Sequence, residues 1–462
     1  MIPSRSLRSA KTASAALQQR VRRPNLLNKL TTAEELPEND GKKLISLLAQ
    51  TASESSRVQP AALADHVENN NLQADPATKL QFNLFVGAST GPEVEDRWAK
   101  LDMIRFRAPH QVGKEVAKGI NSGRIDFAGE IVYLLTKDLA PLADLSFVKT
   151  STCLCSLRIL HTDVCLFFSY VFSAALTTAR SKDYALNKKH GEPKKHLDWA
   201  IVEATAITED GKIVPGASVG ATPEILQSAE KIIIEVNTKI PSFEGEALSL
   251  FKQKLSLIEL ITSPSQRIGE TAIQIDLDRV VAVIEADRPD NTGGNAPETE
   301  DSKAIARHLI EFLQSEVTDG RLPKNLLPLQ SGIGNVANSI IGGLADGPFE
   351  DVQVWTEVLQ DTFIRFLDSG KLSFATATSI RFSPEGFDHF YKNWASYKDR
   401  LLLRSQQVAN SPEIIRRLGV IAMMDGIDLE TWCQVQFLSV ESPLQSTDAD
   451  LARSGRQVLG SA

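Results

Sequence analysis

The chain has 462 residues, 42% of them apolar and 23% charged, which is long enough for two or three domains with well-buried cores. Its formal net charge of −8 excludes a general nucleic-acid surface, because phosphate binding needs a concentrated basic face. Cys153, Cys155, Cys165 and Cys433 are too few for a disulfide framework in a chain of this length. Cys153-Leu-Cys155 has neither zinc-ribbon spacing nor a second pair, so no metal site is expected.

Arg5, Arg8, Lys11, Arg20, Arg22, Arg23 and Lys29 all precede the first acid, Glu34, among many serines and alanines. That is the composition of a mitochondrial transit peptide. Residues 1–30 are therefore expected to be a transit peptide or a disordered leader, with a matrix location and a cytoplasmic one as the alternative. Lys79 to Val86 has strand character, breaks at Gly87-Ala-Ser-Thr-Gly91, and leads into a helix from Glu93 to Trp98. Val164 to Leu176 is apolar apart from its serines. As a helix it would span roughly 20 Å against a hydrocarbon core of roughly 30 Å, so it predicts a buried element and no membrane partner.

A second strand is predicted over Trp199 to Ile207, with a turn at Glu209-Asp-Gly211. A short helix near Pro223 to Glu230 precedes a third strand, Lys231 to Val236. The β-branched run Arg279 to Ile284 predicts a fourth strand buried on both faces, as in parallel sheets. Turn-rich loops follow the third strand (Ile240 to Gly245) and the fourth (Asp287 to Pro297). An amphipathic helix carrying Ile305, Leu309, Ile310 and Leu313 comes next. Strands alternating with helices predict α/β architecture, and the domain boundary is expected between residues 245 and 278.

In the C-terminal half, Gly332-Ile-Gly-Asn-Val-Ala-Asn338 predicts a glycine loop opening a helix from Val336 to Leu344. A short strand ends in Val354-Trp-Thr-Glu357, and Glu357 is expected where that strand turns into a helix with apolar positions Val358, Leu359, Phe363, Phe366 and Leu367, closed by Gly370. Open α/β sheets collect ligands at that edge. The glycine loop also fits a dinucleotide fingerprint, but Pro328 argues against a central strand ahead of it. No strand leads into Glu350 or Asp351 as the ribose-binding acid. Backbone N–H groups at such a turn suit a pyrophosphate and a thioester oxyanion equally, with Asn335 and Asn338 adding side-chain donors. An acid in a first helical turn is favoured electrostatically without any catalytic role.

These segments resemble the acetyl-CoA hydrolase/transferase family, in its succinyl-CoA:acetate CoA-transferase type and most of all its fungal mitochondrial members. The likeness runs through Phe85 to Trp98, through Ala200 to Glu244 with Pro215-Gly-Ala-Ser-Val-Gly-Ala-Thr-Pro-Glu224, and from Val280 to Met423. It implies two CoA-transferase-type α/β domains with mainly parallel sheets, residues 31–260 and 261–462. It implies Glu357 as a nucleophile that carries coenzyme A as a glutamyl thioester, with Asn410 positioning the carboxylates. Gly332, Ile333, Gly334, Asn335 and Val336 would contact CoA and the oxyanion. On this reading coenzyme A is a substrate and no cofactor is needed. The partners are acyl-CoA and small carboxylates, acetate and succinate, in acetate metabolism, and a homodimer is the assembly it admits.

The chain departs from the family pattern at Gly41 to Gln50, at Gly129 to Asp183, and after Met423. A second glycine-rich loop of the Gly-Gly-Ser-Gly-Asp-Phe type has no counterpart in Asp425 to Ala462. The C-terminal domain is therefore expected to be incomplete, and the alternative function is a catalytically inactive relative that binds or regulates.

Overall fold

The computed structural model describes residues 13–32, 58–74, 79–86, 92–108, 113–127, 197–245, 248–249, 261–290 and 298–423. The four cysteines, the apolar run Val164 to Leu176, and residues 41–50, 87–91, 129–183, 291–297 and 424–462 lie outside them, and so do the expectations attached to those segments.

Three parallel sheets organise the fold. The first holds β1 (Phe82–Phe85), β2 (Ile104–Ala108) and β3 (Asp126–Phe127) in that order, with helices Pro92–Lys100 and Lys114–Asn121 as the crossovers. The second holds β4 (Leu197–Ala204), β7 (Ala229–Asn237) and β9 (Val280–Ala286), in the order β4-β7-β9. A short antiparallel pair, β5 (Ala206–Ile207) and β6 (Ile213–Val214), follows β4. The period-2 alternation of the second sheet splits its side chains between two cores. Trp199, Ile201, Ile233, Ala282 and Ile284 pack with the helices of the first sheet. Ala200, Val202, Ile232, Ile234 and Val283 pack into the larger core shared with the C-terminal half. Apolar layers on both faces explain why the run Ile232-Ile-Ile234 has no polar alternation.

The third sheet has the order β16-β10-β11-β13-β15-β8 and is parallel throughout. Its strands are β8 (Leu248–Ser249), β10 (Leu329–Ser331), β11 (Val352–Trp355), β13 (Leu372–Ala377), β15 (Leu401–Arg404) and β16 (Ile421–Met423). β12 (Val358–Gln360) and β14 (Ser379–Arg381) form a separate parallel pair. Among the described residues no helix is long and apolar enough to cross a membrane.

The structure bears on three expectations. Residues 13–32 are folded, against the disordered alternative for the leader. Helices α1 (Ala15–Arg20) and α2 (Pro24–Leu27) put Leu17, Val21 and Leu26 into the main core. Arg20 donates to the carbonyls of Thr205 at 2.9 Å and Ile240 at 2.8 Å, and Leu30 bridges to Val283. The basic composition conceals apolar residues that share one buried side. Second, around the expected boundary, β9 hydrogen-bonds to β7, while Leu248–Ser249 pairs with β15 of the third sheet. Third, β10 is a central strand with neighbours on both sides. Pro328 stands just ahead of its first residue, where a missing N–H costs the ladder nothing.

Candidate active site

Because the third sheet is parallel, the ends of β10, β11, β13 and β15 open on one edge, and four short segments meet there. Glu357 lies two residues beyond β11. It is not in a first helical turn as expected from sequence, because Val358–Gln360 is strand β12 and the following helix is Thr362–Ser369, closed by the left-handed Gly370. The three apolar and amide residues after Glu357 satisfy either period, and pairing with β14 decides it. The carbonyl of Glu357 accepts the amides of Thr378 at 2.9 Å and Ser379 at 3.1 Å. Its half-buried carboxylate accepts, at Oε1, the side-chain amide of Gln406 at 3.3 Å.

The glycine loop is tied to the same segment. Thr356 Oγ1 donates to the Ser331 carbonyl at 3.1 Å, and Gln360 Nε2 donates to the Gly332 carbonyl. Gly334 caps helix α8 (Asn335–Asp346) in an extended conformation, and Asn338 N–H closes the first turn onto Gly334 at 3.0 Å. The half-buried stretch Ile333 to Val336 thus carries the amino end of a twelve-residue helix, with its partial positive charge, to the sheet edge. Of the two asparagines expected as donors, Asn335 opens the helix, whereas Asn338 is buried with Oδ1 lacking a protein partner.

Asn410 reaches the site through its backbone. It caps the short helix α12 (Gln406–Ala409), and its N–H donates to the Gln406 carbonyl at 2.9 Å. One residue earlier, the Ala409 carbonyl accepts the indole N–H of Trp355 at 2.7 Å, which fixes this turn to the end of β11. The described contacts include no hydrogen bond between the Asn410 side chain and Glu357. Beneath the turn, the Arg404 guanidinium lies 5.1 Å from the Trp355 ring centroid, with both side chains fully buried. Burial, reinforced by the charge of Arg267, pushes the Arg404 guanidinium down to about 9. It donates to the Pro264 carbonyl at 3.1 Å, which also accepts Thr376 Oγ1 at 2.7 Å.

Two parts of the site escaped the sequence reading. Gln406 makes its contact with Glu357 across 49 positions of chain, and nothing local marks it. The segment Pro215 to Glu224 carries the family likeness, but its sequence alone marks no role. It lies against the site, with Val219 N–H on the Thr378 carbonyl at 2.9 Å and Gly220 N–H on Thr378 Oγ1 at 3.1 Å. Its glycines were the available signal, since Gly220 adopts a φ of +49°.

Buried amide oxygens without a protein partner gather in the segments around Glu357: Gln330, Asn338, Gln360, Gln406 and Asn410. Such atoms are rare in folded proteins, and their occurrence on the segments that meet at this sheet edge suits a polar ligand. Among the described residues no group of three or more His, Cys, Asp or Glu could hold a metal ion. The site therefore offers a carboxylate, neutral amide donors and a helix amino terminus at one sheet edge, which suits attack on a carbonyl with charge developing on oxygen. The strand, glycine turn and helix of a dinucleotide fingerprint are also present, so local geometry alone leaves both readings standing.

Similarity to known proteins identifies the family. A family model for the acetyl-CoA hydrolase/transferase N-terminal domain matches residues 14–152 and 163–285. The acetyl-CoA hydrolase of Neurospora crassa is 47% identical over 431 residues, spanning 93% of this chain and 73% of that protein. The acetyl-CoA hydrolase of Saccharomyces cerevisiae is 42% identical over 436 residues, again 93% and 73%. RipA from Yersinia pestis shares the fold, with a TM-score of 0.52 at 14% identity over 88% of this chain and 73% of that chain. Matches of this extent, across the sheets that build the site, show that the chain belongs to the acetyl-CoA hydrolase/transferase family of enzymes.

Proposed function

We propose that the chain moves coenzyme A between an acyl-CoA and a small carboxylate, through a covalent glutamyl-CoA at Glu357, with water as the competing acceptor. Its relatives are named acetyl-CoA hydrolases, so acetyl-CoA is the first substrate to test, with acetate and succinate as the exchanging carboxylates. The observation that carries the proposal is the position of Glu357. It stands just past the carboxyl end of β11, with its carbonyl held by two backbone amides and its carboxylate by Gln406.

The Glu357 carboxylate attacks the thioester carbonyl, the C–S bond breaks, and CoA thiolate leaves behind a mixed anhydride. Thiolate then attacks the glutamyl carbonyl and expels the free carboxylate, leaving glutamyl-CoA. A second carboxylate reverses the sequence and departs as its CoA ester; water instead releases CoA and restores Glu357. The backbone of Gly332 to Val336, at the positive end of α8, would steady the substrate oxyanion and CoA, and Asn410 would position the carboxylates. The same reading includes a role in acetate metabolism and a mitochondrial location, the latter resting on the basic residues from Arg5 to Lys29 ahead of the first acid, Glu34.

The test is Glu357→Gln, nearly isosteric and unable to attack. Thiol release from acetyl-CoA and succinyl-CoA formation should both disappear, with the melting temperature close to the parent's. Full activity in that variant would overturn the assignment.

A further inference from the structure

We propose that Trp355 is the positioning residue that sets the 406–410 turn against Glu357; this rests on the roles proposed for Glu357 and Asn410. An indole N–H can only donate, so the bond from Trp355 Nε1 to the Ala409 carbonyl at 2.7 Å has one possible direction. Both residues are buried, Trp355 fully so. The anchor stands on a rigid element. Trp355 is the last residue of β11, which lies between β10 and β13, and it pairs in register with Thr376. The Arg404 guanidinium lies over its ring, 5.1 Å from the centroid, and donates to the carbonyls of Pro264 and Gln266. The indole is therefore packed against a group that is itself tied down, as a preorganised support requires.

The turn has less of its own to hold it. Helix α12 has four residues, too short to be stable by its internal bonds. At its start the Gln406 N–H donates to the Gly220 carbonyl at 3.0 Å. At its end the Trp355 bond acts one residue before Asn410. Asn410 is buried with Oδ1 lacking a protein partner, so its carboxamide takes its place largely from the backbone. On the other side of the bond, Glu357 follows Trp355 by two residues, and that step is also held. Thr356 N–H donates to the Thr376 carbonyl at 2.9 Å, and the Glu357 carbonyl accepts Thr378 N–H at 2.9 Å. One indole bond thus fixes the separation between the nucleophile's strand end and the turn that faces it. A misplacement of about 1 Å near reacting groups can cost on the order of a hundredfold, so loosening this turn should be felt in rate. The glycine loop proposed to meet CoA lies on another segment, so substrate binding should be spared.

The experiment replaces Trp355 in the full chain with benzothienylalanine, in which sulfur stands where the indole N–H was, and separately makes Trp355→Phe. The first keeps ring size and the contact with Arg404 while removing the donor. In single turnovers with acetyl-CoA, the rate of glutamyl-CoA formation at Glu357 should fall by about tenfold in the benzothienyl protein, and at least as far in Trp355→Phe. The acetyl-CoA concentration giving half that rate should move by less than about twofold. A bond serving the fold alone would lower the melting temperature and leave the rate where it was. That result, or a loss confined to the half-saturating concentration, would overturn the role of Trp355 while Glu357 stays the nucleophile. A parent chain that turns over acetyl-CoA without forming glutamyl-CoA would overturn the Glu357 reading instead, and this one with it.

Discussion

The amide N–H of Thr378 donates to the carbonyl of Glu357 at 2.9 Å, and the same residue accepts two amides from a distant loop: Gly220 N–H on its Oγ1 at 3.1 Å and Val219 N–H on its carbonyl at 2.9 Å. A fully buried threonine thus joins the candidate nucleophile to the 217–222 segment, which also holds Gln406 through the Gly220 carbonyl. Glu357 and Gln406 are set by one hydrogen-bonded frame, and loss of any member should be felt at the carboxylate.

Thr378→Val tests that frame. The substitution keeps shape and the backbone bonds but removes the acceptor of Gly220 N–H, leaving a buried donor unsatisfied. Stability should drop by about 1–3 kcal/mol in chemical denaturation, with a loss of kcat alongside. Thr378→Ser restores the oxygen and should recover most of both. Equal stability of the valine variant and the parent would mean that the bond from Gly220 N–H to Thr378 Oγ1 contributes nothing to the fold.

The folded N-terminal segment gives a second prediction. Leu17 is fully buried in the main core, so Leu17→Ala should cost about 2–5 kcal/mol. Removing residues 1–30 should lower the melting temperature sharply. Identical melting of the deleted and full chains would restore the disordered-leader reading.

A third prediction concerns alkaline pH. Burial, then the hydrogen bond to Asp368, raises Tyr397 from 10 to about 12, and its ring stacks on Phe390 with centroids 5.7 Å apart. Between those values the unfolded chain has lost a proton that the folded chain keeps. This stabilisation is therefore complete below pH 10 and is lost as pH rises toward 12. The loss through this group should be on the order of 2 kcal/mol, and Tyr391, buried beside Asp290 and also raised, adds in the same direction. Denaturation midpoints across this range should fall more steeply for the parent than for Tyr397→Phe. Parallel slopes would remove the assignment.

Much of the fold is legible in the sequence because its strands are β-branched runs bounded by turn residues. Ile232 to Val236 and Val280 to Ile284 declare themselves, and Thr299 with Ser302 forms a reciprocal cap at the start of the helix Glu300–Thr318. What was not legible depends on tertiary partners. Leu17, Val21 and Leu26 enter the core on a segment that Arg20 ties to the carbonyls of Thr205 and Ile240. Val358 to Gln360 is strand only because Ser379 to Arg381 lies beside it. The site divides in the same way. Glu357 and the Gly332 loop are neighbours along the chain and show as a motif, whereas Gln406 and Gly220 reach the site through contacts with no local signature.

The most direct measurement is the covalent intermediate itself. The parent chain is incubated with acetyl-CoA, treated with borohydride to reduce any glutamyl thioester to an alcohol, digested, and read by mass spectrometry. The peptide containing Glu357 should carry the alcohol only when acyl-CoA was present. Glu357→Asp should give little of it, because withdrawing the carboxylate by about 1 Å can cost on the order of a hundredfold. Turnover with no reduced residue at Glu357, or with the alcohol on a different carboxylate, would contradict the account.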